Sequence, residues 1–157
     1  MIVLGVDPGK ASGIAVVSWE GPESRPTILY SLESGPDDFG KEIQKALIQH
    51  VNVAQFYVAC ESFVINAQTV RNSQAPWSLE NIGVLKYLCH LNGYDKQNIS
   101  FQAPVNAKTM FPNEALKVLN LWHKGGDGHA NDAIRHALLR LVKAGWKPVE
   151  LLTQKIE

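Results

Sequence analysis

The sequence predicts an α/β domain: one mixed sheet flanked by helices. Three observations carry that expectation. The chain opens with three short runs rich in β-branched residues and separated by turn chemistry; two further short apolar runs then alternate with helical periodicities; and the chain closes on a long amphipathic helix. Tight turns make the first three strands an antiparallel meander, whereas strands separated by helices join a sheet in parallel. With 157 residues, 45% of them hydrophobic, the chain is large enough for one substantial core and short for two, so a single domain spanning 1–157 is expected.

Residues 2–6 and 12–19 read as the first two strands, with Asp7, Pro8 and Gly9 turning between them. Turn residues fill 21–26, and 27–32 read as a third strand. From 38 to 51 the spacing of Phe39, Ile43, Ala46, Leu47 and Ile48 predicts a helix, capped by Asp37 or Asp38. A buried strand over 56–60 ends on Glu61. The polar stretch 66–76, which contains Arg71 and Asn72, reads as an exposed connection to a helix over 78–91. A short strand over 99–102 and a helix over 114–122 follow. The segment "HKGGDGHANDAIRHALLRLVKAG" then runs a glycine-rich turn into the last helix, which Gly145 and Pro148 close.

Composition narrows the function classes. Cys60 and Cys89 lie in apolar stretches without metal-type spacing, which predicts reduced core thiols and no zinc site. Asp7 and Lys10 interrupt the apolar start, and no apolar run approaches membrane-spanning length, so a soluble, cytoplasmic protein with no membrane partner is expected. The formal net charge is zero, but residues 1–85 carry 5 Lys/Arg against 9 Asp/Glu and residues 86–157 carry 10 against 6. That asymmetry permits a basic surface on the C-terminal half, and solvated helix faces produce the same count.

The chemistry gathers on acids at the edge of the predicted core. Asp7 follows the first strand, Glu61 follows the fourth, and Asp132 sits in the first turns of the last helix. If those strands are neighbours, three carboxylates converge, and they repel unless a cation neutralises them. Oxygen ligands suit Mg²⁺ or Mn²⁺, which activate water and stabilise a leaving oxygen in phosphodiester cleavage. His129 precedes Asp132 by three and shares its helix face, as a ligand or a proton carrier. Asp127 competes with it, although Asp127 also fits an N-cap. His136, four residues after Asp132, reads as a packed, hydrogen-bonded histidine. Each acid also has a plainer reading: a turn aspartate before Pro-Gly, a strand-end ion pair, or a partner of the helix dipole.

In the segments "GVDPGKASGIAVV", "VACESFV", "FQAPVNAKTMF" and "GHANDAIRHALL", in that order, the chain resembles the RuvC-type Holliday junction resolvases of the ribonuclease H-like nucleases, with a compact length closer to phage-encoded or divergent members. The resemblance implies a ribonuclease H-like fold with a five-stranded sheet. It implies that Asp7, Glu61 and Asp132 are catalytic metal-binding acids, with His129 at a position the family fills with Asp or His. Two Mg²⁺ or Mn²⁺ ions about 4 Å apart are then expected to drive hydrolysis that leaves 5′-phosphate and 3′-hydroxyl ends. Phe63 corresponds to an aromatic that stacks on bases of an opened junction, with core packing as its alternative. Lys108 corresponds to a basic position near the site; Lys10, Arg71 and Asn72 are further candidate DNA contacts. Paired nicks in a four-way junction imply a homodimer, with the helix over 78–91 as the interface. A broader branched-DNA nuclease, a non-cleaving junction-binding protein and a sugar-kinase or actin-like nucleotide-binding domain are the alternatives.

Overall fold

The computed structural model describes residues 1–50, 52–65, 75–94, 98–149 and 151. Strands β1 (Ile2–Asp7), β2 (Ser12–Ser18) and β3 (Thr27–Ser34) form the antiparallel meander, and helix α1 (Pro36–Gln49) leads to β4 (Phe56–Glu61). Helix α2 (Ala75–Leu91) precedes β5 (Ile99–Gln102). The chain then adds α3 (Pro104–Met110), α4 (Asn113–Val118) and α5 (His129–Lys143). The five strands lie in the order β3-β2-β1-β4-β5, with β1 parallel to β4 and β4 parallel to β5. This is the predicted mixed sheet.

Strand alternation divides the core in two. Leu4, Val6, Ile14, Val16, Val58 and Cys60 face α1 and α2, where they meet Phe39, Ile43, Leu47 and Leu85. Val3, Ala15, Val17 and Ala59 face the other way, toward Ile134, Leu138 and Leu141 of α5, with Phe111 and Trp146 closing that layer. Each fully buried Leu, Ile or Phe contributes about 1.5–3 kcal/mol by leaving water. Odd-numbered residues of β1 and β4 therefore point at α5, and this parity decides where Asp7 and Glu61 go.

Several boundaries differ from expectation for physical reasons. Helix α1 starts at Pro36, whose fixed φ suits a first helical position, and Asp37 and Asp38 lie in its first turn while Gly35 takes the cap position. β3 runs two residues past Leu32, because Glu33 and Ser34 still pair with Gly13 and Ser12. The helix predicted over 114–122 ends at Val118, so that Leu119 and Leu121 drop into the core. Sequence reading missed α3 altogether: Pro104 opens it and it is too short for periodicity to register. Helix α2 begins at Ala75, inside the stretch expected to be a connection; the rest of that stretch, with Arg71 and Asn72, lies outside the described residues. Cys60 and Cys89 are buried free thiols. Among the described residues no helix is long and apolar enough to cross a membrane.

Candidate active site

Asp7 ends β1 with its side chain on the α5 side and almost buried, at 7% exposure. The register that pairs Val6 with Cys60 brings the next residue of β4, Glu61, beside it on the same face. Helix α5 crosses directly over these strand ends because the sheet carries glycine beneath it. A Cβ on Gly13 would lie 1.8 Å from the His129 carbonyl oxygen, and one on Gly5 would lie 2.0 Å from that of Ala133. No side chain larger than hydrogen lets the helix sit this close.

The start of α5 is capped from a distance. Its N-cap, Gly128, has φ of 100° and offers no side chain. Glu33 of β3 supplies the acceptor: its Oε2 accepts from the Asp127 N–H at 2.8 Å, and its Oε1 from the N–H groups of Gly128 at 2.8 Å and Ala130 at 3.3 Å. Partial burial works against the Glu33 charge, but these three donors hold its carboxyl below the usual range. Asn131 fastens the preceding loop, accepting from the His123 N–H and donating to the His123 carbonyl.

So placed, the first turns of α5 present three side chains to the strand ends. His129 Nδ1 lies 2.8 Å from Asp7 Oδ2. Asp132 is gripped by two cations: Lys108 Nζ from α3 stands 2.9 Å from Oδ2, and Arg135 Nη1 stands 2.5 Å from Oδ1. The guanidinium is buried and fixed, with Nε donating to the Phe111 carbonyl at 2.7 Å and Nη2 to Asn113 Oδ1. His136, one turn further, puts Nε2 3.1 Å from Glu61 Oε2. A groove of about 980 Å³ opens here, lined by Lys108, Asn113, Trp122, His129 and Asp132 among others.

The electrostatics follow from this crowding. Burial raises the Asp7 carboxyl above the ordinary aspartate range; the His129 hydrogen bond opposes this, and the charges of Glu61 and Asp132 add to it. His129 is held more basic than usual, first by its hydrogen bond to Asp7. Burial disfavours the Lys108 ammonium, yet its hydrogen bond to Asp132, with the charges of Asp132, Glu61 and Asp7 around it, leaves it more basic than usual.

The donor set suits a hard divalent ion: three carboxylates within each other's fields, two of which, Asp7 and Glu61, keep an oxygen free of hydrogen bonds among the described residues. Their arrangement departs from the expected shared grip. Among the described residues no three His, Cys, Asp or Glu side chains converge on one ion position, because Asp132 is turned to Lys108 and Arg135. Lys108 supplies the positive charge beside Asp132.

Of the other sequence candidates, Lys10 is exposed in the β1–β2 turn and makes no ion pair among the described residues. Phe63 is half-buried against the α1/α2 side of the core. Asp127 lines the groove and makes no hydrogen bond or ion pair with the three acids. Sequence reasoning missed Glu33, Arg135 and the partner of His136. Glu33 lies one residue past the strand read over 27–32, so the sequence pattern carried no signal for it.

No protein-family model matches the chain, and no curated protein matches it in sequence. Its shape is another matter. The structure of Thermus thermophilus RuvC in complex with a Holliday junction substrate superposes with a TM-score of 0.72 at 17% identity, over 92% of this chain and 94% of that one. The chain has the fold of a RuvC-type Holliday junction resolvase. A second T. thermophilus RuvC structure gives 0.68 at 20% identity, covering 92% and 95%. The fowlpox virus Holliday junction resolvase gives 0.53 at 12% identity, covering 92% and 99%. The RuvC-type fold thus persists across nearly the full length at identities where sequence comparison falls silent.

Proposed function

We propose that the chain is a divalent-metal-dependent endodeoxyribonuclease that resolves four-way or branched DNA by paired nicks leaving 5′-phosphate and 3′-hydroxyl ends. The observation that carries this reading is the meeting of Asp7, Glu61, Asp132 and His129 at one end of a RuvC-type sheet. Asp7, Glu61 and Asp132, with His129, would hold Mg²⁺ or Mn²⁺. When bound, the metal supplies an activated water and stabilises charge on the departing 3′ oxygen. The protein's own part is to fix the acids: His129 steadies Asp7 and Arg135 anchors Asp132.

Lys108, once released from Asp132, is free to contact a phosphate oxygen at the mouth of the groove. Lys10, Phe63, Arg71 and Asn72 are the further DNA contacts in this reading, and the basic half of the chain supplies the complementary charge. Two active sites are needed for paired nicks, and a two-fold homodimer through α2 provides them. That helix leaves Leu79, Val84, Tyr87 and Leu91 exposed.

The test is cleavage of a synthetic four-way junction beside linear duplex and flap DNA, with Mg²⁺, Mn²⁺ or chelator. Junction-selective nicking that needs the metal and drops by at least about a hundredfold in Asp7→Asn is expected. Equal cleavage of all three substrates replaces this reading with a broader nuclease; tight junction binding without cleavage under any metal replaces it with a binding protein.

A further inference from the structure

We propose that His136, held by Gln102, is a positioning residue that fixes the Glu61 carboxylate for metal binding; the inference rests on the metal-dependent reading above. The imidazole is wholly buried where α5 meets the ends of β4 and β5. An apolar side chain of similar size would fill that space with no polar group to desolvate. A ring with two polar nitrogens belongs there only if both are used, and both are. Nε2 faces Glu61 Oε2 at 3.1 Å, and Nδ1 faces the Gln102 side-chain amide at 3.0 Å, through Oε1.

Two protonation patterns satisfy this geometry with Glu61 as a carboxylate, and they agree on the point that matters. If Gln102 Oε1 accepts from Nδ1, the ring is an imidazolium that donates on both sides. If the amide is turned by 180°, Gln102 Nε2 donates to Nδ1 and the ring is neutral with its proton on Nε2. The turned amide also gives a partner to Gln102 Nε2, which is otherwise a buried donor with none among the described residues. In both patterns Nε2 donates to Glu61. Gln102 is the cross-strand partner of Glu61 in the β4–β5 register, so the two side chains leave the sheet side by side toward the same ring.

The consequence lies in Glu61's length. Glutamate has one more rotatable bond than aspartate, and among the described residues Glu61 alone of the three acids has no cationic or histidine partner at the site's mouth. The buried donor behind it ties down Oε2 and leaves Oε1 available. Loss of an outer partner of a metal-binding side chain costs about 10–100-fold in metal affinity.

The experiment compares wild type, His136→Leu, His136→Gln and Gln102→Leu by Mn²⁺ titration calorimetry without DNA, by thermal melting in chelator, and by junction cleavage. His136→Leu is expected to stay folded but to melt below wild type, since the buried Gln102 amide loses its partner, while its Mn²⁺ Kd weakens about tenfold or more and cleavage falls in parallel. His136→Gln, whose amide nitrogen lies near the position of Nε2, is expected to recover Mn²⁺ affinity to within about threefold of wild type. A folded His136→Leu protein with unchanged Mn²⁺ affinity overturns the proposal. Should that variant not fold, Gln102→Leu decides: weakened Mn²⁺ binding supports the proposal, and wild-type affinity overturns it. A wild-type protein that neither binds Mn²⁺ nor cuts overturns the metal reading together with this one, whereas binding and cutting undisturbed by all three variants overturns this inference alone.

Discussion

Asp7 is an acid kept where its charge is unwelcome, and that makes it a lever on stability as well as on chemistry. Burial raises its carboxyl, and Glu61 and Asp132 add to the effect. The folded chain therefore binds this proton more tightly than the unfolded chain does. Asp7's contribution to stability is complete below the ordinary aspartate range and is lost as the pH climbs through the raised folded value. Asp7→Asn removes the charge and keeps the shape, so in chelator at pH 7–8 it is expected to melt above wild type by ~2–4 °C, the shift that about one kcal/mol gives a domain of this size. The gap should close as the pH falls through the raised folded value and the wild-type carboxyl takes up its proton. Calorimetry across that range checks it, and a variant that melts lower at pH 8 would mean that the bond to His129 outweighs burial. Asp7 was legible in the sequence because a carboxylate at the end of an apolar strand is an anomaly. Glu33 and Arg135 were not: Glu33 bonds to the Asp127 N–H 94 residues away, and Arg135, although only three residues from Asp132, is aimed at it by Phe111 and Asn113.

At the scale of elements, the seat of α5 governs the site. His129 touches Asp7, and Asp132 comes within range of its charge, because the helix rests on Gly5 and Gly13 and because Glu33 pins its first turn. Gly13→Ala places a methyl group where the His129 carbonyl now lies, so the helix start must lift. Overpacking of this kind costs about 1–3 kcal/mol. Urea unfolding should show that loss, and junction cleavage should fall by more than tenfold under conditions where the variant remains folded, since displacing a reacting group by about 1 Å costs on the order of 10²-fold. Full cleavage by a destabilised Gly13→Ala protein would separate the seat from the chemistry. The sheet and its flanking helices could be read from periodicity because each buries a long apolar face. The region from 103 to 122 could not, since two helices of 7 and 6 residues, each preceded or opened by proline, break any run long enough to count.

For the whole molecule the open surface is α2. Helix residues that face a core on one side and water on the other should alternate in polarity, yet α2 is apolar around much of its girth. Ile82, Leu85 and Cys89 pack inward, while Leu79, Val84, Tyr87 and Leu91 remain exposed on the outward side. A two-fold axis along that side would bury these residues against their copies and give one molecule of enzyme two active sites. Val84 and Tyr87, at 38% and 61% exposure, are open enough to accept glutamate without disturbing the monomer's core. Wild type should therefore sediment as a dimer, and Val84→Glu/Tyr87→Glu as a monomer with an unchanged circular dichroism spectrum. The functional readout is a supercoiled plasmid that extrudes a cruciform. A dimer that cuts both strands within one binding event yields linear product, whereas a monomer that cuts and leaves relaxes the plasmid and yields nicked circles. The double variant should shift the products from linear to nicked by about tenfold or more, the ratio expected when the second cut must await a new encounter. Linear product from a verified monomer would assign the pairing of nicks to some feature other than this helix.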